Sequence, residues 1–328
     1  MRFGARLVAL GLWVLTAGSA AAQTYTTTIT TAPDLGKVVS ASSGDTVFTV
    51  DESTGVVTRT SGGGVRLATG TTRAAISVRC GNQGSCNNTN VAVKIGAIGA
   101  PTKRARALTR FTVDMGTATL RSGPSGTSPI TFTLNAIPKN TTRTFYVGFD
   151  FPIAGDNSGL ASGTATSGYY VYVSKSSSQP TSGTTGTAAA TVYRPIAISN
   201  PTDLVFGTIV RPRTGSGSVA INASTGARTF SGGVVGLSAP PPSRALFTVT
   251  GEGGQAFSVS MPTILLMTGS GGILPVVLTT SAGSTQVLSS AVGSAGTYSF
   301  GVGGALPVSS TTRTGSYTGS FAVTVNYN

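Results

Sequence analysis

Histidine is absent from the 328 residues of the chain. The side chain that most often transfers protons near neutral pH is therefore missing, which excludes Ser-His-Asp and Cys-His catalytic pairs. Only nine carboxylates are present. A glycosidase needs two of them, but none of the nine lies in a recognisable motif, so we expect no enzymatic activity and no cofactor.

Cysteine is nearly absent as well, since the chain has only Cys80 and Cys86. A structural zinc site needs four ligands, and one cysteine pair without histidine leaves two of them missing, so no metal site is predicted. In an oxidising compartment the two close thiols are expected to form a disulfide. Asp150 and Asp156 flank a segment that could hold calcium in a loop, although single carboxylates at turns are routine.

Long apolar runs are also scarce. Residues 7–15 form one, which follows Arg2 and Arg6 and precedes three alanines, and this pattern predicts a secretory signal peptide over residues 1–22. A retained membrane anchor is the alternative, but the run is far shorter than the roughly 20 residues that span a bilayer. Residues 261–278 are apolar but are interrupted by glycine and serine. We expect export to the periplasm and no transmembrane segment after cleavage.

The composition of the remaining chain favours β-structure. Charged residues make up only 9% of the sequence, and Gly and Pro separate short alternating runs. No long stretch holds apolar residues at helical spacing. Low complexity is a competing explanation, but the alternating Val, Ile and Phe provide apolar faces that a disordered chain lacks. The sequence therefore predicts an all-β fold.

An internal duplication appears when the chain is compared with itself at an offset of about 170 residues. The matching segments are Ser53-Thr54-Gly55 with Ser224-Thr225-Gly226, Ser61-Gly62-Gly63 with Ser231-Gly232-Gly233, residues 73–78 with 244–249, Ala136-Ile137-Pro138 with Ala305-Leu306-Pro307, and residues 141–144 with 311–314. We predict two immunoglobulin-like β-sandwich domains in tandem. The first covers residues 23–190, including the disulfide loop and a Ser/Thr/Gly-rich loop or linker at 174–190, and the second covers residues 191–328.

The last segment of the sequence alternates in polarity. Phe321, Val323, Val325 and Tyr327 share one face of a single predicted strand that starts near Gly315. With a glycine fourteen positions from the end and a tyrosine next to last, this segment resembles the terminal strand motif of pilins assembled by the chaperone–usher pathway. The resemblance implies a pilin-like sandwich whose strand is bound, backbone to backbone, by a periplasmic chaperone. The alternative is an ordinary strand that pairs within its own sheet.

The second unit is also similar, from Ile196 to Asn328, to the bacterial domain of unknown function 4402. The similarity rests on residues 204–209, 224–228, 247–252, 302–306 and 315–328. The first unit is a weaker match, because residues 34–39 stand where Leu-x-Phe-Gly is expected. This resemblance implies an exported fimbrial or surface domain.

Residues 23–31 have extended character and could, by analogy with pilins, be a segment donated to a neighbouring subunit. Only Tyr25 and Ile29 offer apolar side chains for that purpose, so we expect an ordinary first strand or a frayed terminus instead. Without a donor segment, a two-domain subunit would occupy a fibre tip with the first unit outermost.

Positive charge is concentrated in the first unit. The formal net charge is +13, and residues 24–195 hold fifteen basic against seven acidic residues. Lys103, Arg104, Arg106 and Arg110 form a cluster that could attract an acidic glycan, although a solvated loop explains them equally well. No stacking motif accompanies them, so no specific nucleic-acid recognition is predicted. Tyr170 and Tyr172 face one way and are expected in the core.

These observations predict an exported structural or adhesive protein of the cell surface. The leading hypothesis is a fimbrial subunit or tip adhesin assembled by strand donation. Its partners would be a periplasmic chaperone, an outer-membrane usher and neighbouring subunits. The alternative is a self-contained secreted module that binds acidic glycans through its basic first unit.

Overall fold

The computed structural model describes residues 25–82 and 86–328, and the predicted signal peptide at residues 1–22 lies outside this part. The described residues form twenty-six β-strands and one short 3-10 helix, Asp156–Ser158, with no α-helix among them. No helix in these ranges is long and apolar enough to cross a membrane. The prediction of an all-β fold is confirmed.

The first unit is a sandwich of two sheets. Its strands are β1 (Tyr25–Thr31), β2 (Asp34–Val39), β3 (Thr46–Val50), β4 (Val57–Ser61), β5 (Val65–Arg66), β6 (Ala74–Cys80), β7 (Val91–Ile98), β8 (Thr109–Asp114), β9 (Leu120–Ser125), β10 (Ile130–Leu134), β11 (Thr142–Ile153), β12 (Gly163–Lys175) and β13 (Gly183–Tyr193). One sheet has the order β1-β6-β11-β3-β4, with β8 also paired to β11, and the other has the order β5-β2-β13-β12-β7-β10-β9. Phe132 of one sheet meets Phe145 of the other edge to face at 5.5 Å between ring centroids, so the core lies between the sheets.

The second unit also packs one sheet on another. Its strands are β14 (Ala197–Thr202), β15 (Ile209–Val210), β16 (Ser216–Ile221), β17 (Arg228–Ser231), β18 (Val235–Gly236), β19 (Ala245–Glu252), β20 (Ala256–Ser260), β21 (Ile264–Gly269), β22 (Gly272–Thr280), β23 (Thr285–Val287), β24 (Ala295–Ser309), β25 (Tyr317–Thr318) and β26 (Thr324–Tyr327). The larger sheet has the order β14-β19-β24-β22-β21-β25, with β16 on β24 and β17 on β16. Two smaller groups, β15-β18 and β23-β20-β26, complete the unit. Phe257 of β20 meets Tyr298 of β24 at 5.6 Å between ring centroids, across the space between the sheets.

The duplication is visible in the strand register. Thr27 pairs with Val78 in the first unit, and Ile198 pairs with Val249 in the second. Ile198 follows Thr27 by the same number of residues as Val249 follows Val78, so the two strand pairs have equivalent registers. The hairpin turns that follow β3 and β16 are equivalent too. The Asp51 carboxylate accepts hydrogen bonds from the amides of the residues two and three positions later. The Asn222 side-chain oxygen does the same in the turn after β16. A short polar side chain at this position therefore closes both turns.

Part of the predicted duplication is wrong. Ala305-Leu306-Pro307 lies within β24 and pairs with β16, whereas Ala136-Ile137-Pro138 lies in the loop between β10 and β11. The strand that corresponds to β24 is β11, because each is flanked on one side by two successive partners: β6 and β3 for β11, and β19 and β16 for β24. The two later matches, residues 136–138 with 305–307 and 141–144 with 311–314, therefore do not occupy equivalent places in the two units.

The stretch predicted as a loop or linker is mostly strand. β12 extends to Lys175 and β13 begins at Gly183, so only residues 176–182 form a loop there. β13 has an unusual polarity for a strand because Thr, Gly and Ala dominate it, and this composition concealed it from pattern analysis. The connection between the units is Arg194-Pro195-Ile196, between β13 and β14.

Candidate functional site

β13 completes the second sheet of the first unit. It lies between β2 and β12, parallel to β2 and antiparallel to β12. Its inward side chains, Ala188, Ala190 and Val192, are fully buried in the core. The first sandwich therefore has a strand at every position between its outer strands.

The second unit has no described strand at the equivalent position. β15 corresponds to β2. β2 forms a two-residue ladder with β5, the strand after the β3–β4 hairpin. β15 forms one with β18, the strand after the β16–β17 hairpin. β26 corresponds to β12. β12 comes after β11 in the chain and pairs with β7, the strand after β6. β26 likewise comes after β24 and pairs with β20, the strand after β19. Among the described residues, β15 pairs only with β18 and β26 only with β20. We call the unoccupied position between β15 and β26 the strand gap.

The core of the second unit is incomplete as well. Among described residues, the first core has 33 buried members and 5 partly buried ones, whereas the second has 17 buried members and 13 partly buried ones. Ile209 of β15 and Phe321, Val323 and Tyr327 near β26 belong to the partly buried group. Apolar side chains beside β15 and β26 thus remain partly in contact with solvent.

The predicted terminal strand is divided in two. β25 pairs with β21 in the larger sheet, β26 pairs with β20 in the smaller one, and residues 319–323 cross between them. Two close approaches fix the crossing: a Cβ atom on Gly315 would lie 2.7 Å from the Ser270 hydroxyl oxygen, and one on Gly319 would lie 2.8 Å from the Leu266 carbonyl oxygen. The prediction of one strand from Gly315 onward is therefore wrong.

The apolar alternation nevertheless points inward. Phe321 packs against Phe247 with 6.2 Å between ring centroids. Val325 is buried opposite Val259, and Tyr327 stands opposite Phe257. Val323 packs against the same core, half-buried. The inward-facing side of this segment thus contributes to the core while one backbone edge of β26 borders the strand gap.

Tyr327 joins β26 to the connection between the units. Its hydroxyl donates a hydrogen bond to the Arg194 carbonyl oxygen (2.9 Å) and accepts one from the Glu252 amide (2.6 Å). Its ring lies 6.1 Å from that of Tyr193, the last residue of β13. Burial raises the pKa of Tyr327 to about 12. The Tyr327 end of β26 is therefore the end nearest to the first unit.

A charged network crosses the same junction. The fully buried Glu252 carboxylate accepts hydrogen bonds from the amides of Arg194 (3.1 Å) and Gly293. The Arg194 guanidinium contacts Asp156 of the first unit at 3.1 Å, and the fully buried Arg104 contacts the same Asp156 oxygen. The junction is held by compensated charges from both units.

The basic residues predicted as an acidic-ligand patch do not form one free cationic surface. Arg104 is buried, and it also donates to the Ser40 hydroxyl and the Leu160 carbonyl oxygen. Arg106 forms an ion pair with Asp45 (3.3 Å), and Arg110 forms one with Asp150 (2.7 Å). Lys103 is exposed and stands apart at the unit junction, near Gly163. Carboxylates distant in sequence thus neutralise three of the four charges.

The same ion pairs bear on the suggested calcium loop. Both Asp150 oxygens accept hydrogen bonds from Arg110, and one Asp156 oxygen is shared by Arg104 and Arg194. No group of three or more potential metal-ligating side chains occurs in the part of the chain that the structure describes. Asp150 and Asp156 act as arginine partners here.

The tyrosine-rich strand divides its side chains between two faces. Tyr169 is buried, and burial raises its pKa. Tyr170 and Tyr172 are half-buried on the outer face, stacked with 4.3 Å between ring centroids. Tyr170 leans over Gly96, where a Cβ would lie 2.7 Å from its hydroxyl oxygen. The expectation that Tyr170 and Tyr172 belong to the core is wrong, because the alternation places Tyr169 there instead.

The second unit also has a sequence signature. Residues 196–327 match the family model described as Domain of unknown function (DUF4402). This match confirms the resemblance predicted for the second unit, and it contains the strand gap and the whole of β26. A search of curated proteins gives no match.

Solved structures with similarity to the chain come from fimbrial systems. AggA, the major subunit of aggregative adherence fimbriae type I from Escherichia coli, has 14% identity and a TM-score of 0.24, with 51% of this chain and 95% of that chain covered. A chain of the chaperone–tip adhesin complex of CFA/I fimbriae has 9% identity and a TM-score of 0.27, with 92% and 98% covered. A chain of the CsuC–CsuE complex from Acinetobacter baumannii has 9% identity and a TM-score of 0.26, with 91% and 99% covered. These TM-scores are too low to support a functional inference.

Proposed function

We propose that this chain is an exported subunit of a surface fibre whose second unit accepts a β-strand from another polypeptide. The observation that carries the proposal is the strand gap, seen beside a copy of the same fold in which β13 fills the equivalent position. An unfilled position beside partly buried apolar residues argues against the alternative of a self-contained module. No catalytic role is part of this proposal.

The first unit supplies a template for the accepted strand. β13 runs antiparallel to β12 and parallel to β2, so the incoming strand should run antiparallel to β26 and parallel to β15. Its backbone would pair with the free edges of both strands, at about 0.5–1.5 kcal/mol per hydrogen bond. Alternate apolar side chains would cover the exposed core, at about 1.5–3 kcal/mol for each fully buried Val-sized group.

The direction of β26 indicates where the first unit stands in such a fibre. Tyr327 is at the end of β26 nearest to the first unit. An antiparallel strand would therefore begin near the first unit and end at the opposite end of the second unit. If it is the amino-terminal segment of another subunit, that subunit would lie at this opposite end. The first unit would project away from the fibre.

The described residues provide no evident strand to donate in turn. Residues 25–31 pair along β6 within their own sheet, and Tyr25 is buried there. A subunit that accepts a strand without donating one terminates a fibre. A tip position with an outward binding unit is part of this proposal, and the pairing of residues 25–31 within their own sheet supports it.

Export and assembly partners belong to the same proposal. The predicted signal peptide would deliver the chain to the periplasm, and a chaperone would cover the strand gap there, since an open edge with exposed apolar residues promotes aggregation. An outer-membrane usher and a neighbouring subunit would then replace the chaperone. The mature protein would reside on the cell surface.

An intramolecular graft tests the strand gap directly. A copy of residues 183–193 is appended after Asn328 through a two-residue Asn-Gly turn, which directs it antiparallel to β26. A second graft, in which the copies of Ala188, Ala190 and Val192 are changed to Asp, is the matched control. We expect the first graft alone to raise the melting temperature of the second unit by at least about 5 °C, measured by calorimetry. Equal melting of the two grafts would show that no strand is accepted.

A further inference from the structure

The end of the first unit remote from the second unit is formed by three loops that converge. Lys175 at the end of β12 pairs with Val91 at the start of β7, and Leu134 at the end of β10 pairs with the same Val91. In the facing sheet, β6 and β11 meet through Arg79 and Thr142 at the same end. The loops leaving these strands, residues 86–90, 135–141 and 176–182, are called the distal pole. The opposite end of β12 and β13 leads into the second unit.

The distal pole is held in place by covalent and hydrogen bonds. The predicted disulfide between Cys80 and Cys86 is present, and both cysteines are buried. Two hydrogen bonds connect the loops: the Lys139 amide donates to the Asn87 side-chain oxygen (3.2 Å), and the Ser176 amide donates to the Asn90 carbonyl oxygen (2.8 Å). A surface fixed in this way loses little entropy when it binds a ligand.

Four basic residues surround the distal pole without carboxylate partners. Arg79, Lys139 and Arg143 are exposed and Lys175 is half-buried. None of them takes part in an ion pair among the described residues, in contrast to Arg104, Arg106, Arg110 and Arg194. Arg104 and Arg194 are therefore paired at the junction, where Lys103 is unpaired, whereas all four basic residues of the distal pole lack an ion-pair partner in the described part of the chain.

The nearest carboxylate along the strands does not cancel this charge. Asp114 pairs in register with Tyr146, three residues further along β11 than Arg143. Its two oxygens accept hydrogen bonds from the Ser53 hydroxyl and the Gly116 amide. Of the other carboxylates of the first unit, Asp34 is the first residue of β2 and Asp51 and Glu52 lie in or beside the turn after β3. The rest form the ion pairs described above.

We infer that the distal pole binds an acidic polysaccharide. Its cations would contact carboxylate or sulfate groups, and the exposed Asn87, Asn88, Asn140 and Ser178 side chains would bond to sugar hydroxyls. Nucleic acid is a poorer match, because single-stranded recognition stacks bases on freely exposed rings, whereas Tyr25 is buried and the half-buried Tyr172 is already stacked on Tyr170. This inference concerns the first unit and does not require a strand in the second.

Binding of defined polyanions by the full mature chain tests the inference. The probes are heparin and hyaluronan, with single-stranded DNA of matched charge as the competing class. The variant Lys139→Gln/Arg143→Gln/Lys175→Gln removes three poleward charges. The control Arg211→Gln/Arg213→Gln/Arg313→Gln removes three exposed charges from the second unit, so the net charge is identical. Calorimetric melting confirms that each variant is folded.

The expected result is binding of an acidic polysaccharide that weakens about tenfold at 150 mM salt in the pole variant, if each lost contact is worth about 0.5 kcal/mol. The control should bind like the parent. Equal weakening in both variants would reduce the effect to net charge and overturn the inference. Failure of the parent to bind either polysaccharide, or tighter binding of DNA than of both, would also overturn it. None of these outcomes bears on the strand graft, so the two proposals fail separately.

Discussion

The Tyr327 hydroxyl donates a 2.9 Å hydrogen bond to the carbonyl oxygen of Arg194, in the connection between the two units. The same hydroxyl oxygen accepts a hydrogen bond from the Glu252 amide. One side chain thus satisfies two backbone groups and attaches the strand that borders the gap to the junction. The position of β26 and the arrangement of the units are therefore physically connected.

Removing this hydroxyl should destabilise the second unit. The variant Tyr327→Phe leaves the Arg194 carbonyl and the Glu252 amide without their partner in a part-buried site, which should lower the free energy of unfolding by about 1–3 kcal/mol. Urea denaturation measures the change. Tyr317→Phe is the control, because that hydroxyl donates to the Arg313 carbonyl oxygen in an exposed position and water can replace it. Equal losses in the two variants would contradict the role assigned to Tyr327.

The junction charges should be energetically coupled. A double-mutant cycle with Arg194→Gln and Glu252→Gln should give a coupling free energy of at least about 1 kcal/mol, because the Arg194 guanidinium lies 4.0 Å from the carboxylate of the fully buried Glu252. The exposed pair Arg106 and Asp45 is the matched control and should give about 0–1 kcal/mol. Both cycles are measured by urea denaturation. A Glu252 cycle no larger than the control would show that the junction is not held by these charges.

Features that depend on a few neighbouring residues could be predicted from the sequence. The alternation of Phe321, Val323 and Val325 gave the inward face of the last segment, and the Ser-Thr-Gly repeats gave the equivalent turns. Hydrophobic patterning over a few residues determines both features, so no long-range information was needed.

The strand gap could not be predicted in the same way. It is defined by the absence of a described strand between β15 and β26. Recognising it requires knowing that β13 fills the equivalent position in the first unit. β13 itself is poor in large apolar residues, and the sequence places its residues 183–190 in a loop or linker and its residues 191–193 in the second unit. The basic cluster failed for a related reason, since Asp45 and Asp150 neutralise Arg106 and Arg110 from positions 61 and 40 residues away.

Alkaline pH should weaken the second unit through Tyr327. Its folded pKa is about 12 against an ordinary value of 10, so the folded state retains the proton longer than the unfolded state does. The stabilising contribution is complete below pH 10 and is lost as the pH rises towards 12, by up to about 1.4 kcal/mol per pH unit. Urea denaturation between pH 9 and pH 11.5 should show this slope in the parent and a shallower one in Tyr327→Phe. Identical slopes would mean that Tyr327 ionises as freely in the folded state as in the unfolded state.

The disulfide should stabilise the first unit alone. Cys80 and Cys86 are six residues apart and both are buried, and closure of so short a loop restricts the unfolded chain by about 2–3 kcal/mol in the chain-entropy model. The double variant Cys80→Ser/Cys86→Ser should lower the melting temperature of the first unit, while the transition that the strand graft raises stays unchanged. Because Tyr25 and Thr89 are hydrogen-bonded beside this loop, the variant should also speed amide hydrogen exchange at the distal pole. Simultaneous loss of both calorimetric transitions would show instead that the two units unfold as one cooperative body.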